Sequence, residues 1–186
     1  MITCPFCDFE NITGADNCEQ CGQALSDQNL PQPASYVERC IVRDRLEVLH
    51  HSRPLVVVTP HTKVRDVLKL LGERAIGCVL VTEGQEVCGI FSERDALLRL
   101  NTQFAKFLDR PVSEFMTPAP LALDSAAKVG FAIHRMRIGG YRHLPITDAQ
   151  GRPVSMVSVR DVLRYLTDKM YESETTDPTS TPAPSA

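Results

Sequence analysis

Apolar residues recur along this chain in two alternating periods. Val64, Val67, Leu68 and Leu71 stand at helical spacing, followed by Gly77–Val81 and Glu86–Phe91, two short apolar runs split by the turn Glu83-Gly84. The pattern predicts a short strand over Leu55–Val58, a helix over Thr62–Arg74 and two strands. A further helix is opened by Ser92 and runs through about Leu100. The succession then returns: strand Leu121–Leu123, helix Ser125–Ile138 with Val129, Ala132, Ile133 and Met136 inward, strands Arg142–Thr147 and Pro153–Val157, and a last helix Val159–Met170. Gly139-Gly140 closes the first helix of this copy, since glycine accepts the positive φ of a helix end. Each copy reads β-α-β-β-α, too small to close a core alone, so the two are expected to pack together. Ahead of them, Tyr36–His50 predicts a helix with Val37, Cys40, Ile41 and Leu46 on its apolar side.

The repeat is sharpest at Gly89–Asp95 and Ser155–Asp161, where a strand runs into Ser-x-x-Asp at a helix start. Ser92 answers to Ser158 sixty-six positions later, Arg94 to Arg160 and Asp95 to Asp161. A helix N-terminus offers unpaired N–H groups and a positive dipole end, which suit a phosphate. Hydroxyl and guanidinium add donors for phosphate oxygens, and the carboxylate can accept from a pair of sugar hydroxyls. The plain alternative is that both serines cap and both acids favour the dipole. One difference between the copies bears on the site: Ser155 stands where the first has Gly89, and a side chain there is expected to narrow it.

The head carries other chemistry. Cys4-Pro5-Phe6-Cys7 and Cys18-Glu19-Gln20-Cys21 are two C-x-x-C knuckles that together complete a tetrahedral sulfur set for zinc. So small a segment has little core beyond Ile2, Phe6, Phe9, Ile12 and Leu25, and metal binding would supply folding free energy. Cys40, Cys78 and Cys88 fall at apolar periodic positions and read as core, and His50, His51, His61 and His134 show no ligand spacing with them.

Charge divides the chain. Residues 1–35 carry five acids and no base, and 171–186 three acids and no base, while 36–170 hold all 20 Lys and Arg against 15 acids. The basic body suits an anionic ligand. The acidic head argues against nucleic acid at the cysteine knuckles, because phosphate affinity comes from Lys and Arg. A DNA or RNA surface on the body is an alternative function, and a structural dimer scaffold with empty clefts is another. The sequence contains no run of 18 apolar residues and begins Met-Ile-Thr-Cys-Pro, so neither a membrane span nor a secretory signal is expected, and the cytoplasm is. It also lacks Gly-x-Ser-x-Gly, His-Glu-x-x-His and phosphate-loop patterns, so no enzyme activity is expected.

Two resemblances follow. Met1–Leu25, with Cys-Pro-x-Cys, Asn11, Gly14-Ala15, Cys-x-x-Cys-Gly and Leu25, resembles the short zinc ribbons, with Asp8 where the first knuckle usually has Gly. Residues 41–168 resemble a pair of cystathionine-β-synthase (CBS) domains, a Bateman module. This rests on the two Ser-x-x-Asp junctions, Phe115-Met116-Thr117-Pro118 and Tyr141-Arg142-His143-Leu144-Pro145-Ile146. The resemblance implies an α/β (α+β) fold of tandem repeats with pseudo-twofold symmetry, clefts for an adenine nucleotide or another adenosyl ligand, and homodimers that signal to a protein partner. Asp95 and Asp161 are then ribose candidates. Ser92, Arg94, Ser158 and Arg160 are phosphate candidates, and Gly77, Cys78, Thr117, Pro118, Arg142, His143 and Leu144 flank the base. Cys4, Cys7, Cys18 and Cys21 are the zinc candidates. The expected organisation is a ribbon over 1–25, a linker over 26–35, helix and first repeat over 36–109, second repeat over 110–170, and a disordered acidic tail over 171–186.

Overall fold

In the computed structural model, residues 1–25, 33–49 and 55–176 are described. His50, His51, most of the 26–35 linker and the tail beyond 176 lie outside them. The chain divides into two units. One comprises 51–125 with 143–157, and the other 1–50, 126–142 and 158–186.

The first unit is built on a four-stranded sheet, β3 (Val57–Val58), β4 (Cys78–Glu83), β5 (Glu86–Ser92) and β6 (Thr117–Pro118), hydrogen-bonded in that order. β3 runs parallel to β4, and β4 and β5 form an antiparallel hairpin in which Cys78 faces Ser92 and Leu80 faces Ile90. Helix α2 (Val64–Glu73) lays Val64, Val67 and Leu71 on Val79, Val81 and Phe91, the expected inward stripe. Cys78, Leu80 and Ile90 form a second cluster with Met156. β4 is thus buried from Cys78 to Thr82, which explains its continuous apolar run. A three-stranded sheet follows, β7 (Leu123–Asp124), β8 (His143–Thr147) and β9 (Pro153–Ser158).

In the second unit, α1 (Tyr36–Arg43), α4 (Val129–Gly139) and α5 (Val159–Thr176) pack on one another. The small hairpin of β1 (Ile2–Thr3) and β2 (Glu10–Asn11) belongs to the same unit. α1 begins with a full capping box at Ser35 and Glu38. α4 ends at Gly140, in the left-handed conformation its sequence anticipates. No helix among the described residues is long and apolar enough to cross a membrane.

The chain departs from its periodicity in identifiable ways. The helix expected to run to His50 stops at Arg43: Asp44 is extended, and its carbonyl accepts from Val129 N at 2.9 Å. Only a 3-10 turn, Leu46–Val48, follows. α2 and α4 both start later than expected. The residues before them, Lys63 and Lys128, are extended and make isolated bridges to Pro111 and Arg45. The helix opened by Ser92 is α-helical only over Glu93–Asp95 (α3). It widens to a π turn over Ala96–Leu100 and tightens to a 3-10 turn over Asn101–Lys106. The wide turn buries Leu100 while directing Arg99 to the Met116 carbonyl. Finally, α5 continues to Thr176, into residues expected to be disordered. Glu172 anchors it, accepting from Tyr36 Oη at 2.8 Å and pairing with Lys169 at 2.7 Å.

Candidate functional site

The two knuckles bring the Sγ atoms of Cys4, Cys7, Cys18 and Cys21 within 4.8 Å of one another. Cys4 lies 3.6 Å from Cys21, and Cys7 3.6 Å from Cys18. Each knuckle closes through the same turn: Asp8 N donates to Cys4 O at 2.9 Å, and Gly22 N to Cys18 O at 2.8 Å. Asp8 and Gly22 therefore hold equivalent places, with φ of 58° and 72°. Asp8 is an L-residue in a glycine conformation. Asn11 stitches the cluster, donating to Cys18 Sγ and accepting from Glu19 N at 3.0 Å. Burial pushes the Cys18 thiol up, but the Cys21, Gln20 and Asn11 donors outweigh it and bring it down to about 7. Burial holds Cys7 well above the usual range and raises Cys21 to about 11. Four converging sulfurs, three of them buried, fit a tetrahedral thiophilic metal with no open position.

This cluster is docked on α4. Lys128 Nζ donates to Pro5 O at 3.1 Å and to Asp8 Oδ1 at 2.6 Å. The Phe6 ring lies 5.6 Å from the His134 ring, and Phe131 packs against the buried cysteines. Gly130 makes room: a Cβ there would sit 3.1 Å from Ile41 O and 3.2 Å from Phe6. His134 is buried with its Nε2 unpartnered, and desolvation lowers its pKa. Local pattern does not join His134 to the cysteines, because the link is packing across more than a hundred residues.

The Ser-x-x-Asp junctions are both capping boxes, one in each unit. Ser92 Oγ accepts from Asp95 N at 3.3 Å, and Asp95 Oδ2 accepts from Ser92 N at 3.0 Å and Ser92 Oγ at 2.6 Å. Ser158 and Asp161 repeat this at 3.3, 2.8 and 2.6 Å. Arg94 and Arg160 point outward, exposed. Several candidates gather near the first junction. Glu93 N donates to Gly77 O at 3.0 Å, Cys78 is the strand partner of Ser92, and Thr117 Oγ1 donates to Asp95 Oδ1 at 3.0 Å. Pro118 pairs with Gly89 across the ladder. A Cβ on Gly77 would meet His143 Nε2 at 2.7 Å, so the imidazole lies directly over that glycine. Leu144 is fully buried. Desolvation first, then the Glu93 and Asp95 charges, push the Cys78 thiol up to about 12, so it stays protonated. At the second junction Arg142 O accepts from Val159 N at 3.0 Å. Arg99, which no motif singled out, reaches Met116 O, Thr117 Oγ1 and Asp95 Oδ1; its place four residues after Asp95 was the available clue. A groove of ≈ 320 Å³ runs along α5 from Asp161 past Arg164 and Tyr165 to Lys169.

Comparison with known proteins supplies the context. The CBS domain pattern matches residues 44–101 and 112–168. An uncharacterized 17.7 kDa protein of Acidianus ambivalens is 32% identical over 113 residues, 60% of this chain and 67% of that protein. The Arabidopsis thaliana protein CBSCBSPB1 is 28% identical over 74% of this chain, which spans only 24% of that protein's length. Among solved structures, Arabidopsis CBSX2 in complex with AMP is 26% identical with a TM-score of 0.57, covering 67% of this chain and 96% of that one. PAE2072 of Pyrobaculum aerophilum, a CBS domain protein complexed with AMP, is 25% identical with a TM-score of 0.58, covering 67% of this chain and 99% of that one.

Proposed function

The chain belongs to the CBS-domain family, and from that premise we propose that it is a non-catalytic regulatory protein that binds an adenine nucleotide at a Ser-x-x-Asp junction. The observation that carries this reading is the duplicated cap, which sets a carboxylate beside a helix N-terminus twice. One of the two carboxylates, Asp95 or Asp161, accepts the ribose hydroxyls, and Ser92 with Arg94 or Ser158 with Arg160 faces phosphate. Gly77, Cys78, Thr117, Pro118, His143 and Leu144 are the base-flanking candidates of the first junction, and Arg142 of the second. The AMP held by CBSX2 and PAE2072, each matching about two thirds of this chain, supports the choice of ligand. Binding alters the packing of the repeats or of a homodimer, and a partner protein reads the change.

Cys4, Cys7, Cys18 and Cys21 hold one structural zinc ion, in a shell that leaves no site for substrate. Reduced thiols of this kind suit the cytoplasm. The contacts of Lys128 with Pro5 and Asp8 support a structural role within the chain rather than a freely swinging module.

Thermal unfolding of zinc-loaded protein with AMP, ADP, ATP, S-adenosylmethionine and NAD tests the ligand. A saturable rise in Tm with an adenosyl ligand supports the reading, since only a ligand preferring the native state stabilises it. A flat response across the panel overturns it. For the metal, the expectation is one zinc per chain by elemental analysis. Chelation should lower Tm by several degrees. Cys18→Ser protein that keeps full zinc content and stability would contradict the assignment.

A further inference from the structure

The two junctions share a sequence but differ in what their carboxylates have left to offer. An ionised carboxylate accepts about four hydrogen bonds. At Asp95 three of these are made as hydrogen bonds, and an arginine ion pair stands against the remaining position. Oδ2 holds Ser92 N and Ser92 Oγ, and Oδ1 holds Thr117 Oγ1 at 3.0 Å and faces Arg99 Nε at 3.5 Å. The Asp95 side chain is only 14% exposed. Arg99 closes the ring, donating to Thr117 Oγ1 at 3.0 Å and to the Met116 carbonyl. Met116 in turn fills the space over Gly89, where a Cβ would stand 2.2 Å from its Sδ. So the space that Gly89 leaves at the first junction is filled by a methionine.

Asp161 is different. Its Oδ2 carries the two Ser158 bonds, and no described residue reaches Oδ1. The residue four positions on is Tyr165, not an arginine, and its hydroxyl is turned to Asp44 at 3.0 Å. Asp161 also borders the groove along α5 that Arg164 and Lys169 line.

We propose that Asp95, Thr117 and Arg99 form an internal latch that pins β6 to the first junction and withholds Asp95 from ligand, so that nucleotide recognition rests on Asp161. A ribose at Asp95 would need two acceptor positions, both on Oδ1, and must displace Thr117 and Arg99 together. Thr117 would then lose a charge-assisted hydrogen bond and Arg99 its ion pair, neither of which the ligand returns. Asp95 is in this sense a positioning residue. The ligand half of the inference rests on the nucleotide reading above; the latch does not.

Two readouts on the full zinc-loaded chain test it. The first is calorimetric titration with AMP. One AMP per chain is expected, with affinity lowered at least tenfold in Asp161→Ala. Two AMP per chain, or one AMP that survives Asp161→Ala, overturns the proposal while leaving the nucleotide reading intact. The stoichiometry is read on the unaltered protein and needs no variant to fold. The second readout needs no ligand: thermal unfolding of Asp95→Ala, Thr117→Val and the double variant. Each single change should lower Tm by about 4 °C, and the double variant should lie within about 1 °C of the weaker single, because the three groups act as one. Strictly additive shifts overturn the latch. Absence of any AMP binding sinks the nucleotide reading and the ligand half with it, and the unfolding cycle still decides the latch.

Discussion

Tyr165 shows how much a single side chain commits. It is 6% exposed and donates to Oδ2 of Asp44, the residue at which α1 ends. Burial, and then the Asp44 carboxylate, hold its phenol well above the usual range. Its folded pKa therefore exceeds its unfolded value. The stability it gives is complete below about pH 10 and is lost as pH rises beyond it, because only the unfolded chain ionises readily there. Urea unfolding between neutral pH and pH 11 should show this alkaline loss, and Tyr165→Phe should flatten it while costing about 1 kcal/mol at neutral pH. An unchanged alkaline slope in the variant would refute the assignment. Asp8 is a second case. Its carboxylate anchors Lys128 while its backbone sits at φ 58°. Asp8→Gly loses the anchor but relieves the backbone, whereas Asp8→Ala loses the anchor and keeps the strain. The alanine variant should be less stable than the glycine variant by about 1 kcal/mol; the reverse order in thermal unfolding would show that φ carries no cost.

At the level of elements, most of the fold is legible in local pattern. The inward stripe of α2, the β4–β5 hairpin and the left-handed Gly140 follow from spacing and residue type, whereas α4 buries Val129, Gly130, Ala132 and His134, with the expected Ile133 and Met136 only half-buried. What local pattern misses is decided by pairing far along the chain. Lys63 and Lys128 are good helix formers held extended by bridges to Pro111 and Arg45. α1 breaks because Asp44 serves Val129 and Tyr165. β6 exists only because Thr117 and Pro118 find Ile90 and Gly89. The π turn coincides with Arg99 reaching the Met116 carbonyl. The same holds for the site. The paired caps and four cysteines are readable from the chain, but the difference between Asp95 and Asp161 depends on Thr117 and Met116 arriving from elsewhere to meet the local Arg99. Gly89 offers a test at this scale. Gly89→Ala drives its Cβ into Met116 and should cost about 1–3 kcal/mol. Met116→Ala in the same chain should recover part of that loss in denaturant unfolding. No recovery would mean that some other contact enforces the glycine.

At the level of the whole molecule, the tetracysteine head is packed on α4, and α4 and α5 belong to the same unit as the Ser158–Asp161 junction. The four cysteines and the helix that carries Asp161 thus lie in one compact unit. The central claim is that this CBS-domain protein binds an adenine nucleotide. Calorimetric titration of AMP into the zinc-loaded full chain tests it most directly. The account predicts a saturable heat of binding that a guanine nucleotide does not reproduce. AMP that gives no saturable heat up to about 1 mM, a binding energy of only about −4 kcal/mol, would contradict it.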